Sequence, residues 1–517
     1  MVASSPRMGS RPGGKRRAPR AHTAFVYPGK PTVITTGWRL KHTYAALPAL
    51  FHVRAAPTAV AHPRCAVFNA PLAAALGLDA AALGGDAGAA IFAGNVLPGG
   101  ARPLAQAYAG HQFGHFTTLG DGRAILLGEQ LTPDGRLMDV QLKGAGQTPY
   151  SRRGDGRAAL GPMLREFIIS EAMHALGIPT SRSLAVVATG ELVYRERALP
   201  GAVLTRVAAS HIRVGTFEWA AAHRDHAALA ALADYTRRRH YPHLEESARP
   251  HLAMLEAIIA AQAALIARWQ LVGFVHGVMN TDNMALSGES LDFGPCAFLD
   301  AYDPATVFSS IDHQGRYAYA NQPAIAQWNL ARLAESMLPL LDTNQDAAAE
   351  LATAALDLFP SLFQRHWLHG MRAKLGLSTE EADDAALIGD LLEWMQRVRA
   401  DFTDTFRRLS APGFAVDTTS TDDDFGAWHE RWQARLQRQR SCADDMTALM
   451  QRHNPACIPR NHKVEEALAV ATDDGDFSVM ARLLDAVASP FDHTRDLPEF
   501  TRLPAPGAPR YRTFCGT

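Results

Sequence analysis

The chain has 517 residues, of which 47% are hydrophobic, and 51 basic against 52 acidic side chains give a formal net charge of −1. That length fits two or three domain-sized units or one elaborated fold. The charge balance excludes a whole-chain drive toward nucleic acid or an anionic membrane, so any phosphate-binding site has to be a local arrangement. Cys65, Cys296, Cys442, Cys457 and Cys515 form no CxxC pair and are too few to staple a secreted disulfide scaffold.

Residues 1–35 read as a disordered basic leader, with Arg7, Arg11, Lys15, Arg16, Arg17 and Arg20 and no acid before Asp79. A cytoplasmic location is expected; the leader keeps a mitochondrial alternative open. The longest apolar runs are broken by His, Glu, Gln or Arg before membrane-spanning length, so no membrane span is predicted. Residues 70–100 suggest short helices. Gly-rich turns and brief strands then predict a small α+β lobe: strands at Ala124–Gly128, Leu137–Lys143, Ser183–Thr189 and Val203–Val207, with a helix from Leu160 to Leu176. Residues 222–275 read as mostly helical and 276–312 as loops and short strands. Helices are predicted at Ile325–Met337, Ala347–Phe363, Ala385–Leu409, Phe425–Arg438 and Lys463–Val470. The expected division is an N-terminal extension and N-lobe over 36–220, a C-lobe over 221–410, and a C-terminal helical region and tail over 411–517.

Two segments concentrate polar groups. The first is Leu119-Gly120-Asp121-Gly122-Arg123, whose glycines could bring backbone N–H groups to phosphates, although Gly-Asp-Gly is also an ordinary hairpin turn. Lys143-Gly144-Ala145-Gly146 and Arg153-Gly154-Asp155-Gly156-Arg157 carry the same ambiguity. Lys143 ends an apolar strand, and Glu166 follows inside an apolar-rich helix; a Lys–Glu pair of this kind holds ATP in kinase-like lobes. The second segment runs from His276 through Asn280-Thr281-Asp282-Asn283 to Asp292-Phe293-Gly294. Asp282, Asn283 and Asp292 offer the oxygen ligands that Mg²⁺ or Mn²⁺ takes, and a carboxylate there could receive a hydroxyl proton. Two Asx-rich surface turns are the plainer alternative. The chain order of these parts matches the protein-kinase scheme, without its His-Arg-Asp loop and with a short interval from Asp282 to Asp292.

Longer runs carry a specific likeness. Tyr108-Ala109-Gly110-His111-Gln112-Phe113-Gly114, Gln141-Leu142-Lys143-Gly144-Ala145-Gly146-Gln147-Thr148-Pro149-Tyr150-Ser151-Arg152, His211-Ile212-Arg213-Val214-Gly215-Thr216-Phe217 and Asn280-Thr281-Asp282-Asn283-Met284 resemble the selenoprotein O (SelO, YdiU) family from about residue 35 onward. The resemblance implies a bilobal protein-kinase-like fold and transfer of AMP from ATP to Ser, Thr or Tyr hydroxyls of proteins, with Mg²⁺ or Mn²⁺. By the same resemblance Asp282 is the proton acceptor, Asn283 and Asp292 hold metal, and Lys143 pairs with Glu166. Arg206 and Arg213 would bind the outward phosphates, while Gly120, Gly122, Arg123, Asp155 and Gly156 line the nucleotide site. It further implies a redox-active Cys515 and a Cys296–Cys515 disulfide. Ordinary γ-phosphoryl transfer and a non-catalytic ATP-binding scaffold are the competing readings.

Overall fold

Alternating apolar runs in the first half of the chain assemble one antiparallel sheet in this computed structural model, which describes residues 36–414, 422–505 and 511–513. In chain order come β1 (Leu40–Lys41), β2 (His52–Arg54), β3 (Arg64–Phe68) and β4 (Leu104–Gln106), then a separate hairpin of β5 (Ala109–Gln112) and β6 (His115–Thr118). The sheet resumes with β7 (Ala124–Leu131), β8 (Leu137–Lys143), β9 (Ala158–Ala159), β10 (Arg182–Tyr194) and β11 (Ala198–Ala208). Its order is β2-β4-β7-β8-β11-β10-β3, with β1 beside β7 and β9 beside β11.

Register decides which side chains meet. Lys143 lies opposite Ala124 and Leu204, and Gln141 opposite Arg206. Since side chains alternate between faces, Gln141, Lys143 and Arg206 share one face. Ile125, Val140, Leu142 and Val203 form an apolar cluster on the other. Three short helices, α1 (Ala70–Ala75), α2 (Ala80–Leu83) and α3 (Asp86–Phe92), bury Leu72, Leu83 and Phe92 against Leu184, Val187 and Val207. The helix expected from Leu160 is α4 (Leu160–Ala175); its Leu164, Phe167 and Ile168 pack with Leu126, Val186 and Leu204 on the face that carries Lys143.

The second lobe is helical. Its first helices are α5 (Val214–Ala222), α6 (His226–His240) and α7 (Pro250–Leu271). The interruptions noted in the sequence do not shorten α7, which spans 22 residues and is long and apolar enough to cross a membrane by length and composition. Half of its apolar window is buried here, with Met254, Leu255, Ile258, Ile259 and Ile266 fully enclosed. At about 1.5–3 kcal/mol per buried large aliphatic side chain, this helix anchors the lobe. A two-residue hairpin, β12 (Phe274–Val275) with β13 (Ala297–Phe298), brackets the polar loop that carries Asp282 and Asp292.

Beyond it come α8 (Gln322–Leu341), α9 (Gln345–Leu356), α10 (Leu358–Lys374), α11 (Asp384–Val398) and α12 (Phe402–Leu409). The single helices expected over Ala347–Phe363 and Ala385–Leu409 are each two. Pro360 sits in the first turn of α10, where its missing N–H costs nothing but where it cannot continue a preceding helix. Arg399 adopts a left-handed conformation, φ 57°, and ends α11. Asp401 then caps α12, accepting from the Asp404 N–H at 2.7 Å. The remaining helices are α13 (Asp423–Gln437), α14 (Ala443–His453), α15 (Asn461–Ala469), α16 (Ser478–Val487) and the short α17 (Pro498–Thr501). Leu468, Ala471, Met480 and Leu483 of the α15–α16 region join the same core cluster as Met163 and Leu164 of α4.

Candidate active site

The sheet, α4 and the β12–β13 loop converge on a charged cluster. Lys143, the last residue of β8, donates from Nζ to Glu166 Oε2 at 2.7 Å and to Asp292 Oδ1 at 2.6 Å. Arg206 on the adjacent β11 donates from Nε to the other Glu166 oxygen at 2.8 Å, and its Nη2 stands 3.7 Å from Asp292 Oδ1. Two cations therefore share two carboxylates in a nearly dry setting, with side-chain exposures of 5% for Lys143 and 3% for Glu166. Burial alone would raise the Asp292 pKa, but Lys143, Arg206 and Arg123 hold it well below the ordinary carboxylate range. Asp292 also takes a positive φ of 68°, a conformation that non-glycine residues rarely adopt and that marks a constrained site.

One cleft of about 720 Å³ is lined by Gly120, Gly122, Arg123, Lys143, Asp155, Gly156, Arg206, Arg213 and Asp292 together. The glycines admit backbone: a Cβ on Gly156 would lie 2.2 Å from the Gly146 carbonyl, so the 144–156 loop closes only with glycine there. Asp155 is tied to Arg195 by contacts of 2.8 and 3.1 Å at the outer end of the cleft. Arg213 lies over the Tyr108 ring, 4.2 Å from its centroid, and donates to the Asp282 carbonyl at 3.1 Å. A second cavity of about 490 Å³ shares Arg123, Lys143 and Asp292 with the first, and adds Asn283, Val278 and the first turn of α4.

Asp282 lines neither cavity; it lies in a single 3₁₀ turn, Thr281–Asn283, between Asn283 of the second cavity and Arg213 of the first. It is 8% exposed, its Oδ1 is buried without a hydrogen-bond partner, and burial pushes its pKa up to about 6 in spite of Arg213. A Cβ on Gly110 would lie 2.4 Å from that Oδ1, so the β5–β6 hairpin covers the carboxylate at van der Waals distance only because residue 110 is glycine.

The family described as Protein adenylyltransferase SelO matches residues 39–488 of this chain. The chain belongs to that family. It is 58% identical over 482 residues to a protein of Bacillus cytotoxicus named Protein nucleotidyltransferase YdiU, covering 93% of this chain and 98% of the relative. A protein of the same name from Halalkalibacterium halodurans is 59% identical over 484 residues, covering 93% and 98%. The Geobacillus kaustophilus protein of that name is 58% identical over 481 residues, with 93% and 99% covered.

The donor set fits a divalent metal in this family. Asn283 donates its amide N–H to the Val278 carbonyl at 3.0 Å, which leaves its amide oxygen without a hydrogen-bond partner among the described residues. Asp292 is 30% exposed at the side chain and lines the same cavity as Asn283. Two oxygen donors are what Mg²⁺ uses when phosphates and water complete its shell, and no group of three or more His, Cys, Asp or Glu side chains suited to a metal occurs among the described residues.

Residues beyond those read from the sequence also shape the site. Asp121, within the Gly-Asp-Gly turn, is buried in the cleft wall, accepts from the Gln106 N–H and Gln141 Nε2 at 3.1 Å each, and is pushed up to about 6 by burial. Glu218 and Thr281 bond each other beneath Asp282 at 2.6 Å. Glu218 was legible by the signal that marked Glu166, an acid between large apolar neighbours, here Phe217 and Trp219. Cys296 is a buried free thiol, pushed up to about 12 by burial, and Cys515 lies outside the described residues.

Proposed function

We propose that this nucleotidyltransferase moves AMP from ATP onto Ser, Thr or Tyr hydroxyls of proteins and releases pyrophosphate. The observation that carries the reading is the single cleft lined by Arg123, Lys143, Arg206 and Arg213 with further arginines, in which Lys143 and Arg206 pair with Glu166 and Asp292. That surplus of buried and half-buried cations suits a triphosphate. Lys143 would hold phosphate while Glu166 keeps its ammonium in place. Arg206 and Arg213 would neutralise the outward, leaving phosphates, and the backbone of 120–123 and 155–156 would line the nucleotide site. Asn283 and Asp292 would hold Mg²⁺ or Mn²⁺, which supplies charge neutralisation on the phosphoryl oxygens when bound. Asp282, poised near pH 6, would take the acceptor's hydroxyl proton.

The tail supports a redox element. Thr513, two residues before Cys515, donates to the Pro295 carbonyl at 2.8 Å, beside Cys296, which is the arrangement a Cys296–Cys515 disulfide would need nearby. The deciding experiment incubates the protein with Mg²⁺ or Mn²⁺ and either α- or γ-labelled ATP and follows label into acceptor proteins. Label from the α position alone supports AMP transfer. Label from the γ position alone selects kinase chemistry and refutes the reading; tight ATP binding without label selects a scaffold.

A further inference from the structure

We propose that His111, Glu218 and Thr281 are positioning residues that set the orientation of Asp282, an inference that rests on reading Asp282 as the proton acceptor. The three form a closed hydrogen-bonded ring directly under the reacting loop. The backbone N–H of His111 donates to Thr281 Oγ at 2.6 Å, and the Thr281 hydroxyl donates to Glu218 Oε2, also at 2.6 Å. The other Glu218 oxygen is hydrogen-bonded to His111 Nδ1, which returns the ring to its start.

Two close backbone approaches make the ring possible. A Cβ on Gly215 would lie 1.9 Å from the Ala109 carbonyl, so α5, which carries Glu218, touches β5 only because of that glycine. Gly110 performs the same service against Asp282. A second tie reinforces the hairpin: the Phe113 N–H donates to Asn280 Oδ1 at 3.1 Å, which also accepts from the Tyr317 hydroxyl at 2.7 Å.

The ring is an expensive way to fill space. Glu218 is 3% exposed at its side chain, and a buried carboxylate with a hydroxyl and an imidazole confers less stability than apolar residues of the same volume. Asp282, meanwhile, has one carboxylate oxygen with no partner, so its direction is set by its backbone. That backbone is held by Arg213 on the Asp282 carbonyl, by the Asn283 N–H donating to the Asn280 carbonyl at 2.9 Å, and by the hydroxyl of the preceding Thr281. The charged groups facing Asp282 are Arg213, Asp292 and Glu218; those facing Glu218 are His111 and Arg332.

The test measures pyrophosphate release from ATP with casein as a generic hydroxyl-bearing acceptor, for Thr281→Val, Thr281→Ser, Glu218→Gln and Asp282→Asn, with ATP binding measured separately for each. Thr281→Val and Glu218→Gln should lower kcat about tenfold to a hundredfold, the loss that accompanies misplacement of a reacting group, with KM for ATP within about twofold of wild type. Thr281→Ser, which keeps the hydroxyl, should recover most of the rate. A Thr281→Val enzyme with wild-type kcat, a Thr281→Ser enzyme as slow as Thr281→Val, or a loss expressed in KM for ATP would overturn the proposal. Full activity in Asp282→Asn would instead remove Asp282 as proton acceptor, a failure separable from that of the ring.

Discussion

Asp282→Asn should make the protein more stable while abolishing transfer, and the gain should fade as pH falls. The Asp282 carboxyl has its pKa raised by burial from 3.8 to about 6. Well below pH 4 the group is protonated in folded and unfolded chains alike and costs nothing. Above about pH 6 it is ionised in both, and the folded protein carries the whole cost of a buried charge, about 3 kcal/mol for that pKa difference. Asn mimics the protonated acid in shape and charge. The variant should therefore exceed wild type by about 3 kcal/mol at pH 8 and by about half that at pH 5. Urea unfolding of both proteins at the two pH values reads the difference directly. A variant no more stable than wild type at pH 8, or an advantage that does not shrink toward pH 5, would refute a buried, ionised Asp282.

The same carboxyl predicts that transfer rises as pH climbs through about 6, checked by initial rates between pH 5 and 8 at saturating ATP. Lys143→Met should weaken ATP binding by about tenfold to a hundredfold, since it deletes a charge-assisted donor from the phosphate end; titration calorimetry measures it. Gly110→Ala places a Cβ 2.4 Å from Asp282 Oδ1 and should cut kcat more than about tenfold with ATP binding retained, read by rate and binding assays on the same preparation. In the helical lobe, Asp384 is 1% exposed and receives Arg435 Nε at 2.7 Å and Arg372 Nε at 2.8 Å. Asp384→Ala should cost about 3 kcal/mol of stability in denaturant unfolding, because the buried Arg435 and the part-buried Arg372 lose their common partner.

The strands around Ala124, Leu137, Ser183 and Val203 and helix α4 were legible because their apolar periodicity is strong, but β7 runs on through Gly128 to Leu131, β10 through Gly190 to Tyr194, and β11 starts at Ala198, so glycine did not mark those ends. Leu137–Lys143 is read to the residue, and Gly177 and Pro179 announce the end of α4. The break at Arg399 was not legible, since a left-handed residue without glycine is imposed by packing rather than by local preference. Missing α5 has a related cause. Its nine residues are mostly apolar with Thr216 and Glu218 between them, so no clear stripe distinguishes it from the strand before it. In the site, Lys143, Glu166 and Asp292 stand out as charges inside apolar runs. The burial of Asp282 under Gly110 depends on two segments 172 residues apart meeting, and no local pattern encodes that meeting.

The anchoring of α4 carries a consequence for how the enzyme comes into being. Arg165, the residue before Glu166, is held by Glu465 and by the Tyr511 hydroxyl, contacts spanning 300 and 346 residues of sequence. The helix that presents Glu166 to Lys143 is thus fixed in part by residues far along the chain, in addition to its packing on the sheet. A chain made only as far as the sheet would carry the nucleotide-lining strands without these two contacts on α4.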